Sequence, residues 1–224
     1  MALILNIETA TKNCSVSLSE KGVVLAIKEL NDGSYSHSEN LHVFIDEVIK
    51  LAKKSLSDVD AIAASKGPGS YTGLRIGVSA TKGLCFSLDK PLISISTLTS
   101  LANSISIDKD ACIIPLLDAR RMEVYSAIFD NDYNQIREIK AEVIDSTSFL
   151  AFLNKGKVYF LGDGAEKCKD VIKHENAIFL DGYFPSAKQM AKLSYAKYKK
   201  NDIEDVAYFE PFYLKDFLIT KSKK

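Results

Sequence analysis

What the 224-residue sequence lacks narrows it first. It has no excess of charge of either sign: Lys plus Arg and Asp plus Glu total 29 each, for a formal net charge of zero. That balance argues against a chain whose main work is gripping nucleic acid or an anionic membrane over a wide basic face. Its four cysteines, Cys14, Cys85, Cys112 and Cys168, include no CxxC pair. They read as reduced, buried thiols rather than a disulfide framework. No apolar run approaches the roughly 20 residues that span a bilayer. The opening "MALILNIETA" has no basic leader and reaches Asn6 and Glu8 too soon for a secretion signal. A soluble, cytoplasmic protein without membrane contact is expected, with the basic "KSKK" at the end as a solvated tail.

Motifs for several chemistries are missing as well. His37 and His42 stand five apart rather than at the i, i+4 spacing of helical metal ligands, and no HExxH occurs. A zinc peptidase is disfavoured and no metal site is expected. A serine hydrolase fails for want of a GxSxG elbow. Cys14 and Cys85 have nothing nearby in sequence to activate them. No catalytic residue is assigned.

What is present is a repeated α/β grammar. "LILNI" is a buried strand, "CSVSLS" alternates with period two, and "EKG" turns the chain into "VVLAIKEL". "SHSENLHVFIDEVIKLAKKSL" reads as an amphipathic helix, with Ser36 and Glu39 at capping-box spacing and Leu41, Ile45, Val48, Ile49 and Ala52 on one face. The strand "DAIAAS", the glycine segment with its helix, the strand "PLISIS" and a helix from Thr97 follow. The second half repeats the order: strands "ACIIPLLDA", "MEVYSAIFD" and "QIREIKAEVI", a helix over 146–153, the strand "KVYFLG", a helix over 165–174, the strand "AIFL", and a helix over 186–200. Two copies of β-β-β-α-β-α imply two packed subdomains, 1–106 and 107–224. This layout resembles the duplicated actin-like, RNase H-like ATPase fold, in which an acid ends the first strand of each half. Glu8 and Asp118 hold those places, so Glu8, Thr9 and Asp118 are the nucleotide-site candidates. Each acid also reads as an ordinary turn-flanking carboxylate.

The segment "GPGSYTGLRIGVSATKGL" is neither a Walker A loop, since no Lys-Ser or Lys-Thr follows its last glycine, nor a Rossmann fingerprint, since Gly67, Gly69 and Gly73 give GxGxxxG. Its helix carries Gly77 and Gly83, each costing roughly 1 kcal/mol against alanine. Gly73, Gly77, Ala80 and Leu84 recur at helical spacing, a small-residue stripe against which another helix can lie closely. The preceding helix, with Phe44 and Leu51 beside its main face, is one neighbour. Arg75 opposes the dipole at the helix start, which suggests a specific acidic partner or a solvated side chain. Arg120 and Arg121 read as a solvated turn.

"KGPGSYTGLRIGVSATKGL" closely resembles the signature of the TsaB (YeaZ) family, and "ILNIETAT", "SHSENL", "LLDARRMEVYSAIF" and "EPFYL" agree in order and spacing over nearly the whole chain. The resemblance implies a non-catalytic partner of the transferase TsaD, which moves threonylcarbamoyl to N6 of adenosine 37 in tRNAs reading ANN codons. The ATPase TsaE joins the complex, a homodimer forms when the chain is alone, and tRNA contact is indirect. The resemblance implies no intrinsic cofactor, with ATP or ADP and Mg placed at the junction with TsaD. It also places the partner interface on helices near 38–54 and 72–88, through Leu41, Ile45, Val48, Ile49, Gly73, Arg75, Ile76, Gly77, Ala80 and Leu84. On that reading Gly77→Leu blocks the heterodimer and spares the fold. The family usually ends its first strand in Asp-Thr-Ser, whereas Glu8, Thr9 and Ala10 stand here, which weakens a phosphate site. A self-sufficient ATPase using Glu8 and Asp118, and a plain homodimeric module, are the alternatives.

Overall fold

The computed structural model describes residues 2–33 and 36–215; the "KSKK" tail lies outside them. In the first half, β1 (Leu3–Glu8), β2 (Cys14–Glu20) and β3 (Val23–Leu30) form an antiparallel meander. Helix α1 (His37–Leu51) then leads to β4 (Ala61–Gly67), and α2 (Tyr71–Leu88) to β5 (Leu92–Ser96). Helix α3 (Thr97–Ala102) passes to the second half. There β6 (Cys112–Asp118), β7 (Glu123–Phe129) and β8 (Gln135–Val143) form the meander, followed by α4 (Leu150–Leu153), β9 (Val158–Leu161), α5 (Ala165–Cys168), β10 (Ala177–Leu180) and α6 (Ala187–Lys199). The spatial orders are β3-β2-β1-β4-β5 and β8-β7-β6-β9-β10. In both sheets the first strand is antiparallel to the second and parallel to the fourth. This is the duplicated actin-like, RNase H-like α/β fold.

Every residue of β1 is buried, as suits a central strand covered on both faces. Leu3, Leu5 and Ile7 face a cluster with Leu41, Ile45, Val48 and Cys85 from α1 and α2. Ile4 faces the other way, onto Ala187 and Met190 of α6. Thus α6, from the end of the chain, covers the first sheet, while Leu98 and Leu101 of α3 pack with Ile113 and Phe129 of the second. The two sheets follow each other across the 106/107 boundary, while α3 and α6 each pack against the sheet of the other half. Each exchanged helix closes the face of the other half's sheet that the helices of that half leave bare.

Local expectations are corrected in three places. The Ser36–Glu39 capping box does not form; Ser36 makes no side-chain cap bond, and Asn40 Nδ2 instead donates to the Ser36 carbonyl at 3.2 Å. The helices expected over 146–153 and 165–174 shrink to four residues each. In the first of these stretches, Asp145 Oδ1 accepts from the Thr147 amide and hydroxyl, holding a turn where a helix would begin. The serines of β2 (Ser15, Ser17, Ser19) are fully buried under α6. Ser17 Oγ donates to the Ala187 carbonyl at 2.8 Å, and the Ala187 amide donates to Ser15 Oγ at 3.0 Å.

Candidate functional site

The two strand-end acids occupy different environments. Glu8 is wholly buried; its Oε1 accepts from the Ala10 amide at 2.7 Å, and no donor among the described residues reaches its Oε2. Burial pushes its carboxyl up to about 7, against the pull of the Ala10 amide. Asp118 is half-exposed and paired: its Oδ1 accepts from Lys167 Nζ at 2.5 Å and from the Arg120 amide at 2.9 Å. The glycine segment is closed down on the first turn. The Ser70 amide donates to the Ala10 carbonyl at 2.6 Å, and Ser70 Oγ caps α2 by accepting from the Gly73 amide at 3.3 Å. A Cβ on Gly69 would lie 2.4 Å from the Ala10 carbonyl oxygen. The residues present do not fit a magnesium phosphate at this turn: the acid is inside, the Ser70 and Gly73 amides are taken, and Thr9 is packed beneath α2.

The same turn fixes the two helices that the sequence singles out. A Cβ on Gly73 would meet the Thr9 carbonyl oxygen at 2.1 Å, and one on Gly77 would meet Thr9 Oγ1 at 2.2 Å. His37 Nε2 lies 2.7 Å from the Thr11 carbonyl and donates to it, so this buried histidine ties the start of α1 to the turn. Among the described residues no group of three or more His, Cys, Asp or Glu is placed to hold a metal ion.

Six of the residues expected to face a partner are therefore core. Leu41, Ile45, Val48 and Ile49 are buried against the first sheet. Gly73 and Gly77 are buried against Thr9, so Gly77→Leu would disrupt the fold rather than spare it. Arg75 points elsewhere again. Its guanidinium lies 4.0 Å from the Tyr71 ring centroid and 5.9 Å from that of Tyr213, and its Nε donates to Tyr213 Oη at 3.1 Å. It clamps the C-terminal segment "EPFYL" chiefly through these two rings. That segment also pairs the Phe212 amide with the Lys66 carbonyl at 2.7 Å, and Lys215 with Glu123 across to the second half.

Ile76, Ala80 and Leu84 do come to the surface between the helices. With His37, Ser38 and His42 of α1, and Ser79 and Gly83 of α2, they line an open groove of about 530 Å3. Gly83 is the small residue that matters here, since a Cβ on it would meet nothing within 4 Å. Phe86 of α2, about one turn beyond Gly83 and two beyond Ser79, stands exposed beside this face. The sequence signal for Gly83 is its phase. It lies opposite the buried stripe of Gly73, Gly77 and Thr81, where only solvent or a partner can use its smallness.

A profile of the TsaD family, tRNA N6-adenosine threonylcarbamoyltransferase, matches residues 31–221. The tRNA threonylcarbamoyladenosine biosynthesis protein TsaB of Escherichia coli (strain K12) is 30% identical over 223 residues, covering 95% of this chain and 94% of its own. A tRNA N6-adenosine threonylcarbamoyltransferase of Staphylococcus saprophyticus is 35% identical over 108 residues, 42% of this chain and 32% of its own. Among solved structures, YeaZ from Pseudomonas aeruginosa shares the fold with a TM-score of 0.78 at 24% identity, over 96% of this chain and all of that one. The similarity runs through both halves and both exchanged helices, and the chain belongs to the TsaB (YeaZ) family of tRNA threonylcarbamoyladenosine biosynthesis proteins.

Proposed function

We propose that this chain serves tRNA threonylcarbamoyladenosine synthesis as a non-catalytic partner, seating a TsaD-type transferase subunit in the groove between α1 and α2. The chain itself makes and breaks no bond. The observation that carries this reading is the groove: Ile76, Ala80 and Leu84 line it among small residues, with no side chain filling the space over Gly83. Exposed apolar surface beside a small-residue strip favours close helix–helix contact. The acids argue the same way, since Glu8 is buried and Asp118 is paired with Lys167. In this reading any ATP or ADP and Mg sit at the junction with the transferase subunit. A TsaE-type ATPase joins the pair, tRNA is met through the transferase, and the same groove serves a homodimer when the chain is alone.

The test is Gly83→Leu. The added side chain fits the isolated chain and relieves a helix glycine worth roughly 1 kcal/mol, while it fills the groove. Mixed with the transferase subunit from the same organism, the variant should stay folded, form no heterodimer by light scattering, and fail to support threonylcarbamoyl transfer to tRNA. A normal complex with normal transfer would place the interface elsewhere.

A further inference from the structure

We infer that the partner-facing surface continues past the groove, over α2 and onto the turn at 205–209, where Phe86 and Tyr208 form a second pair of anchors for the same transferase subunit. This rests on the docking reading above. Phe86 and Tyr208 are 86% and 85% exposed, the most exposed large apolar side chains among the described residues. Single exposed aromatics are ordinary, but two around one lysine are not. Lys82 Nζ donates at 3.0 Å to the carbonyls of both Ala207 and Phe209, the residues flanking Tyr208. Phe86 stands one helical turn beyond Lys82 on the same side of α2.

Tyr208 is presented by a built support. Asp205 Oδ1 accepts from the amides of Ala207 at 2.8 Å and Tyr208 at 3.2 Å. The Phe209 amide donates to the Asp205 carbonyl at 2.8 Å, and Val206 and Phe209 pack, partly buried, against the first-sheet core. A ring held this way gives up little freedom when it is covered, which is the property of an interface anchor.

Two observations choose the occupant. Phe86 shares a helical stripe with Ser79, seven residues earlier, and neighbours Gly83; both line the groove, so the surface is continuous. Charge around the pair is mixed rather than basic: Asp202 pairs with Lys197 at 3.2 Å, and residues 201–214 contain four carboxylates and no Lys or Arg. A phosphate backbone or an anionic membrane gains nothing there, whereas an apolar socket on a protein does.

The experiment measures Kd between the full chain and the transferase subunit from the same organism for Phe86→Ser, Tyr208→Ser and Gly83→Leu. Phe86→Ser and Tyr208→Ser should each weaken binding at least tenfold while Tm stays at the parent value, because neither ring is packed. Tyr208→Phe should bind as the parent does. If both serine variants bind normally while Gly83→Leu does not, this inference fails and the groove stands. If all three bind normally, the docking reading itself fails. If the serine variants weaken only self-association, the occupant is a second copy and the inference is overturned.

Discussion

Thr9 lies in a notch that Gly77 leaves open in α2: a Cβ on Gly77 would come within 2.2 Å of Thr9 Oγ1. The glycine helix is therefore shaped for the end of its own central strand. The neighbouring bonds, Ser70 amide to Ala10 carbonyl and His37 to Thr11 carbonyl, make the turn at 9–11 the common anchor of α1 and α2. A turn that would face phosphate in an ATPase of this fold here sets the relative placement of two surface helices.

The glycines of α2 should consequently respond with opposite signs to alanine. Gly83→Ala adds helix propensity in open space and should stabilise by roughly 1 kcal/mol. Gly77→Ala gains the same propensity but forces a contact with Thr9, and overpacking of this kind typically costs about 1–3 kcal/mol. A net loss in urea denaturation is expected. Adding Thr9→Ala should relieve much of that loss for Gly77→Ala. It should do nothing for Gly73→Ala, which is blocked by the Thr9 backbone oxygen. Equal stabilisation by Gly77→Ala and Gly83→Ala would refute the notch.

Arg75 should matter to the C-terminal segment more than to the core. Arg75→Lys keeps the charge but loses the planar group stacked on Tyr71 and the Nε bond to Tyr213. Amide exchange over 203–213 should quicken in Arg75→Lys nearly as much as in Arg75→Ala, with the strands of the first sheet unchanged. Protection retained in the lysine variant would show that charge alone holds the segment.

The seam between α6 and the first sheet is polar, and breaking it should be costly. Ser194 Oγ donates to Asn6 Oδ1 at 2.6 Å, and Asn6 Nδ2 donates to Ser19 Oγ at 3.0 Å, all buried. Ser194→Ala strands the Asn6 carbonyl oxygen, a loss of about 1–3 kcal/mol. Denaturant midpoints would read it, and Asn6→Leu with Ser194→Ala should recover part of the loss by removing both partners. A silent Ser194→Ala would mean that water reaches Asn6.

The doubled strand order was legible because apolar runs and period-two alternation are local signals, and each recurs in the second half as in the first. The exchange of α3 and α6 between sheets was not, since nothing in "SAKQMAKLSYAKYKK" says which sheet it covers. The serines of β2 carry that information only once Ala187 and Ser194 are seen against them. The small-residue stripe was legible as a stripe, but its direction was not. Gly73 and Gly77 serve Thr9, and the outward glycine is Gly83, a distinction fixed by the helix's rotation against β1. Arg75 reads from its place on the helix as meeting an acidic partner or solvent, whereas it bonds the tyrosine hydroxyl of Tyr213, 138 positions on in the chain. The capping box at Ser36 failed for the opposite reason, because a correct local spacing gave way to the tertiary pull of His37 on Thr11.

Glu8 should make stability fall as pH rises from about 4.5 to about 7. Its carboxyl is raised from 4.5 to about 7 by burial, so the folded chain holds a proton that the unfolded chain has released. Between about pH 4.5 and 7 the native state binds more protons, and the slope of unfolding free energy with pH is negative there; above about 7 the loss is complete and flat. At 1.36 kcal/mol per pKa unit, the loss is on the order of 3 kcal/mol. Glu8→Gln keeps the shape and removes the titration. Its Tm should match the parent near pH 5 and exceed it at pH 8 by several degrees, given that 1 kcal/mol moves Tm by roughly 2–4 °C in a chain of this size. A Tm difference that is the same at both pH values would mean that Glu8 is ionised in the folded chain, and that a cation or donor has reached its buried oxygen.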